Sequence, residues 1–141
     1  MKTMHITNSW SETSGGIATF YRAIMEASNR NRHEMVMVVP GADDKFQQMG
    51  DYVRFYEVAA PKARLNSAYR TIYPNQFLKP GGKLREILRA EEPDLVEIND
   101  KYTLNYLGPL LRLGLIPELT FRPVVLGLTC ERMDVNFKTY L

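Results

Sequence analysis

A chain of 141 residues with 45% hydrophobic residues is long enough for one domain whose packed core needs no covalent staple. Its single cysteine, Cys130, excludes an intrachain disulfide and agrees with a reducing compartment. No apolar run approaches the roughly 18 residues of a membrane span, and the first residues lack the pattern of a secretory leader, so the expectation is a cytoplasmic protein. The net charge is only +2, yet Pro61 to Ala90 carries seven cations against one anion, and Glu91 to Asp100 carries five acids and no base. A local basic surface of this kind favours anionic partners: phosphates, lipid headgroups or nucleic acid.

The first predicted element is a strand over Met4–Asn8, followed by a polar stretch to Ser14 and the pair Gly15-Gly16. Ile17, Phe20, Tyr21, Ile24 and Met25 then recur on one helical face, with Thr13 or Ser14 as the cap. This helix should end near Asn29–Asn31, where an Asn can take the left-handed C-terminal position. Met35–Val39 is a continuous apolar run closed by Pro40-Gly41 and predicts a strand buried on both faces. Tyr52–Val58 alternates and predicts a more exposed strand.

Ala59 to Gly82 has no clean period and three prolines, so it reads as a long loop with a short helical turn; long irregular segments in compact domains usually carry function or mobility. Lys83–Ala90 predicts a helix broken at Glu92-Pro93-Asp94, and Leu95–Ile98 a fourth strand. Tyr102–Leu113 is Leu-rich and helical, with Pro109 kinking it or starting a second segment. Val124–Thr129 predicts a fifth strand, again buried. Strands separated mostly by helices imply an α/β fold, Rossmann-like, with a parallel sheet and helices on both faces.

Three places could carry chemistry. Gly15 and Gly16 open a helix after a strand, where backbone N–H groups and the helix dipole favour an anion and glycine permits close approach. Neither G-x-G-x-x-G nor the G-K-[ST] phosphate loop is present, so the turn is no standard NAD or ATP cradle. The second place is the run Lys62, Arg64, Asn66, Tyr69, Arg70 and Tyr73, whose mixture of cations, amide and phenols suits a polar, partly anionic ligand. The third is the set of residues just past the strand ends: Asn8 and Ser9, then Asn99, Asp100 and Lys101, then Thr129, Cys130, Glu131 and Arg132. With the strands in the order 3-2-1-4-5, these groups converge at the switch point. His5 and His33 read as structural, and neither has metal-ligand spacing.

Taken in order, Ser14-Gly15-Gly16-Ile17-Ala18, Arg32-His33-Glu34-Met35-Val36, Pro93-Asp94-Leu95-Val96 and Pro123-Val124-Val125 resemble the N-terminal domain of retaining GT-B glycosyltransferases of the family 4 type. Cys130-Glu131 stands where that family usually has a His-acid pair. The resemblance implies a single acceptor-side domain over 1–141, with a separate C-terminal domain holding most of a nucleotide-sugar donor, and sugar transfer with retention to a glycan, lipid or small-molecule acceptor. It implies no metal or other cofactor. Gly15 and Gly16 would then face the donor diphosphate. Arg64, Asn66, Tyr69, Arg70, Asn99 and Asp100 would serve the acceptor, and Cys130 and Glu131 would line the cleft near the reacting carbon. The basic loop would meet the acceptor or a membrane surface at the inner face. On this reading the 141-residue chain alone is inactive, and an uncovered edge or helix face favours self-association.

Two other classes fit parts of the sequence. A self-contained flavodoxin-like binding module shares the fold, although Asn8-Ser9-Trp10 after the first strand lacks the clustered acids of a receiver. A nucleic-acid-binding domain could use the basic 61–90 window, but the transferase reading expects no nucleic acid.

Overall fold

The computed structural model describes residues 1–11 and 15–128. Strand β1 (Thr3–Thr7) leads to helix α1 (Gly15–Arg30), then β2 (Met35–Gly41), β3 (Lys45–Gln48) and β4 (Val53–Ala59). After a long loop come α2 (Asn75–Leu78), α3 (Lys83–Glu91), β5 (Leu95–Asn99), a 3-10 turn over Leu104–Tyr106, α4 (Leu107–Leu113) and β6 (Val124–Gly127). The sheet order is β3-β4-β2-β1-β5-β6. Every pairing is parallel except β3 with β4.

The register explains which side chains are buried. Ile6 of β1 sits between Val38 of β2 and Ile98 of β5. Met4, Ile6, Val36, Val38, Val96 and Ile98 share one face with Phe77, Leu84, Leu88, Leu107 and Leu111 from α2, α3 and α4. Met35, Met37, Val39 and Val53 share the other with Tyr21 and Met25 of α1. Because successive strand side chains alternate between faces, the unbroken apolar run of β2 needs helices on both sides of the sheet. It has them, and all seven of its residues are buried.

Three local expectations need correction. The left-handed position after α1 is held by Arg32 (φ 55°) and not by an Asn. Strand β3 has no apolar alternation and lies fully exposed along the edge, so periodicity could not reveal it. The last strand is not buried: β6 is an edge strand with Val124 60% and Leu126 46% exposed, while Val125 packs toward α4, where a Cβ on Gly108 would lie 3.2 Å from its Cγ1. Thr129 lies outside the described residues. Pro109 falls in the first turn of α4, where its missing N–H costs nothing.

At the N-terminal rim of the sheet, Glu91 ends α3 beneath a cluster of donors. Arg54 binds it through Nε and Nη2 at 2.7–3.0 Å, the Tyr56 hydroxyl donates at 2.7 Å, and Lys2 Nζ lies 3.5 Å away. Burial by itself would raise the Glu91 carboxyl, but the bonds from Arg54 and Tyr56 outweigh it and hold it below its ordinary 4.5. Burial and the bond to Glu91 push the Tyr56 phenol up to about 12.

At the opposite rim, one side chain ties three segments together. Asn8, only 8% exposed, accepts from the Ile72 N–H at 2.8 Å and donates to Thr103 Oγ1 at 3.1 Å. The Thr103 hydroxyl in turn donates to the Ile72 carbonyl at 2.6 Å. This closed ring fixes the return end of the basic loop to the ends of β1 and β5.

Two outcomes follow from these networks. Replacing Asn8 by Ala leaves the buried Ile72 N–H unpaired, at a cost of about 1–3 kcal/mol; amide exchange should rise first across 60–73, and uniform exchange throughout the chain would contradict the clamp. The depressed Glu91 carboxyl binds its proton more readily in the unfolded chain, so its stabilisation is complete above the ordinary carboxylate range and fades as pH falls through it. Glu91→Gln should cost about 3 kcal/mol at neutral pH and flatten the acid limb of the melting-temperature profile; a parallel downward shift at every pH would refute that assignment.

Candidate functional site

The crossover connections change sides at β1, although β1 is parallel to both neighbours. The connection from β1 through α1 reaches β2 over one face, whereas the connection from β4 through α2 and α3 reaches β5 over the other. This topology puts a switch point beyond the C-terminal ends of β1 and β5, the place where open parallel sheets bind ligands.

Gly15 and Gly16 stand at that rim as the first two residues of α1. Both are exposed, and a Cβ built on either would meet nothing within 4 Å. The start of α1 is thus exposed to solvent, and the N–H groups of a first helical turn have no partner within the helix itself. The Thr19 hydroxyl donates back to the Gly15 carbonyl. Thr13 and Ser14, the expected caps, lie outside the described residues, as do Cys130, Glu131 and Arg132.

The basic loop carries local structure that its composition did not reveal. Lys62 and Arg70 form an isolated antiparallel bridge, Ala63 N–H bonds to the Tyr69 carbonyl, and Tyr69 N–H bonds to the Asn66 carbonyl. The result is a small hairpin with Leu65 at its tip, 100% exposed. Of the residues assigned to an acceptor, Arg64 and Asn66 are exposed, but Asn66 Oδ1 already accepts from the Ala68 N–H at 3.0 Å. Arg70 donates through Nη1 to the Ala60 carbonyl at 2.7 Å and so helps to shape the hairpin. Tyr69 is half-buried beside it.

Asn99 and Asp100 are brought to the same rim as Gly15, at the end of β5. Asn99 is buried, and its carbonyl accepts from Thr7 Oγ1 at 3.0 Å. Asp100 Oδ2 accepts from the N–H groups of Tyr102 and Leu104 at 3.2 and 2.8 Å. Its carboxylate therefore starts the 3-10 turn.

Sequence reasoning did not find the polar cluster beneath α1. His5 Nδ1 lies 3.1 Å from Glu97 Oε1, which also accepts from the Tyr21 hydroxyl at 2.9 Å. Burial would raise the Glu97 carboxyl, but the bonds from His5 and Tyr21 keep it below its ordinary value. The parallel register places His5 directly beside Glu97; the signal in the sequence was Glu97 as the one polar residue of the predicted strand Leu95–Ile98, with His5 set between Met4 and Ile6 in the first strand. Among the described residues, no group of three or more His, Cys, Asp or Glu side chains is placed to hold a metal ion. No helix among them is long and apolar enough to cross a membrane.

No family model matches the chain, and no solved structure matches it significantly. Among curated proteins, it is 26% identical over 108 residues to a GDP-mannose-dependent alpha-(1-6)-phosphatidylinositol dimannoside mannosyltransferase of Mycobacterium tuberculosis, strain H37Ra. The same figures hold for that protein from strain CDC 1551. The matched region is 77% of this chain and 26% of those proteins, so the chain spans about a quarter of the length of the curated relatives it matches. The six-stranded, mostly parallel sheet with helices on both faces is a Rossmann-like arrangement, and the likeness is to a glycosyltransferase.

Proposed function

We propose that this chain is the acceptor-side domain of a retaining GT-B glycosyltransferase of the family 4 type, acting at the cytoplasmic face of a membrane on a lipid-linked acceptor. The single observation that carries this reading is the exposed glycine start of α1, which follows β1 at the rim where Asn8 clamps the basic loop. The likeness to a GDP-mannose-dependent enzyme supports a nucleotide-sugar donor, with GDP-mannose the first to try.

In such a reaction the anomeric C–O bond to the donor diphosphate breaks, and the diphosphate leaves with the electron pair. An acceptor hydroxyl forms the new bond on the same face and loses its proton. Charge grows on the departing phosphate oxygens, where preorganised N–H groups stabilise it most. The first-turn amides behind Gly15 and Gly16 fit that task, and it needs no metal. Most of the nucleotide would be held by a second domain, so the chain tested alone should bind phosphate weakly and transfer no sugar. Cys130 and Glu131 remain assigned to the neighbourhood of the reacting carbon, and Asn99 and Asp100 to the acceptor side of the switch point.

The acceptor's lipid character is supported by the hairpin. A fully exposed Leu65 flanked by Arg64 and near Lys62 presents an apolar tip inside a cationic collar. Each Lys or Arg near an anionic bilayer contributes about 1 kcal/mol, and a leucine at the interface adds to it. A nucleic-acid partner gains nothing from Leu65, which is why the lipid surface is preferred.

Titration of the labelled chain with GDP-mannose should shift the Gly15 and Gly16 amides. Gly16→Leu should leave the melting temperature within about 2 °C, since a side chain there meets no neighbour, while weakening that binding at least tenfold. Unchanged glycine amides at saturating nucleotide would end the donor assignment. On vesicles, the chain should bind phosphatidylglycerol-rich bilayers and ignore pure phosphatidylcholine. Leu65→Ser combined with Arg64→Ser should lower the bound fraction severalfold, and equal binding by the double variant would exclude the hairpin as the contact.

A further inference from the structure

A second place on the molecule is built for a ligand of different chemistry. On the α1 side of the β3–β4 hairpin lies an open groove of about 290 Å³ lined by Lys45, Phe46, Gln47, Phe55 and Glu57. The antiparallel register sets Lys45 opposite Glu57 and Gln47 opposite Phe55, so these four side chains project from one face. Phe46 points to the other face, its ring 5.0 Å from Tyr56, and lends the groove only its edge.

The aromatic wall is held in place. The Phe55 ring packs 5.5 Å from Trp10, and the Arg22 guanidinium covers Trp10 from 5.6 Å, a cation–π contact. The polar wall is unspent. Lys45 and Glu57 face each other yet form no ion pair, and neither they nor Gln47 make a side-chain hydrogen bond among the described residues. Gly41 on β2 keeps this space clear, because a Cβ there would come 3.0 Å from the Cβ of Glu57.

We infer that this groove is a carbohydrate subsite that takes a neutral oligosaccharide segment. A pyranose ring offers an apolar C–H face and a belt of hydroxyls that both donate and accept. The groove answers each part: Phe55 supplies a flat apolar surface, Lys45 only donates, Glu57 only accepts, and Gln47 does both. The opposite charges of Lys45 and Glu57 cancel, which removes the attraction a phosphate or polyanion would need. The groove's distance from the switch point is two to three strand spacings from β1, about 10–15 Å, so a sugar here and a phosphate at Gly15 occupy separate places. Glu57 lies near the C-terminal end of β4, on the rim that carries the switch point, so one extended glycan could reach both.

The test is a titration of the isotopically labelled chain with maltotriose, cellotriose and α-1,6-mannotriose, followed by amide shifts and the Trp10 indole signal. At least one trisaccharide should bind at millimolar concentration and shift 45–48, 54–57 and the Trp10 indole together. Gln47→Ala, at an exposed position, and Glu57→Ala, at a half-buried one, should each weaken that binding at least fivefold, and Gln47→Ala should leave the melting temperature unchanged. Inorganic pyrophosphate should leave the groove signals unmoved. If none of the three sugars shifts the groove, or if the two variants bind as the parent does, the inference is overturned. Pyrophosphate shifting 45–57 as strongly as the sugars would overturn it too. Silence of Gly15 and Gly16 toward pyrophosphate would instead count against the donor reading alone, so the two failures are told apart.

Discussion

Strand β1 is hydrogen-bonded to a parallel neighbour on each side and buried along all five residues, and the direction of chain crossover reverses across it. From that constraint the rest follows. A parallel pair needs a long right-handed connection, so α1 must cross one face to reach β2, and the α2–α3 connection must cross the other to reach β5. Helices that start on opposite sides of one strand end leave a gap between them. The switch point beyond β1 and β5 lies at that gap, and α1 opens with its glycines on the same rim.

The strands nearest this axis were legible in the sequence because their burial is two-sided. Met35–Val39 is apolar at every position and can only be an interior strand, and the apolar face of α1 repeats at helical spacing over Ile17–Met25. Legibility faded toward the edges. Nothing in Lys45-Phe46-Gln47-Gln48 distinguishes a strand from a loop, since β3 is fixed by its antiparallel partner β4 and buries no face of its own. The apolar Val124-Val125-Leu126 promised an interior strand, yet only one of its faces meets α4. Composition left the order of the basic loop open, because that order comes from Asn8, 64 positions from Ile72 in sequence and visible only after folding.

The site residues divide in the same way. Gly15 and Gly16 could be placed from the strand–glycine–helix pattern alone, and they do sit open at the rim. Arg70 and Asp100 could be named as polar groups near the switch point, but their hydrogen bonds to Ala60, Tyr102 and Leu104 depend on local backbone geometry that no spacing encodes. The His5–Glu97–Tyr21 cluster depends on strand register. A one-residue slip between β1 and β5 would send Glu97 to the face occupied by Met4 and Ile6, so the pair of polar residues and the register specify each other.

The two rims of the sheet use their polar groups in opposite ways. At the N-terminal rim, Glu91 is enclosed by Arg54, Tyr56 and Lys2, and the Lys2 N–H is bonded to Asp94 at 2.7 Å. A ligand arriving there would have to displace bonds already made, losing about as much as it gained. At the C-terminal rim, buried Asn8 and half-buried Asp100 are satisfied by the segments they tie together, while the side chains of Arg64, Lys45 and Glu57 make no bond among the described residues. Exchanging water for a ligand costs least at such groups, and confinement of a bound molecule beside them strengthens each new contact. Among the described residues, polar side chains without bonded partners therefore gather at one rim, because the other has already used its charges in holding α3 to the sheet.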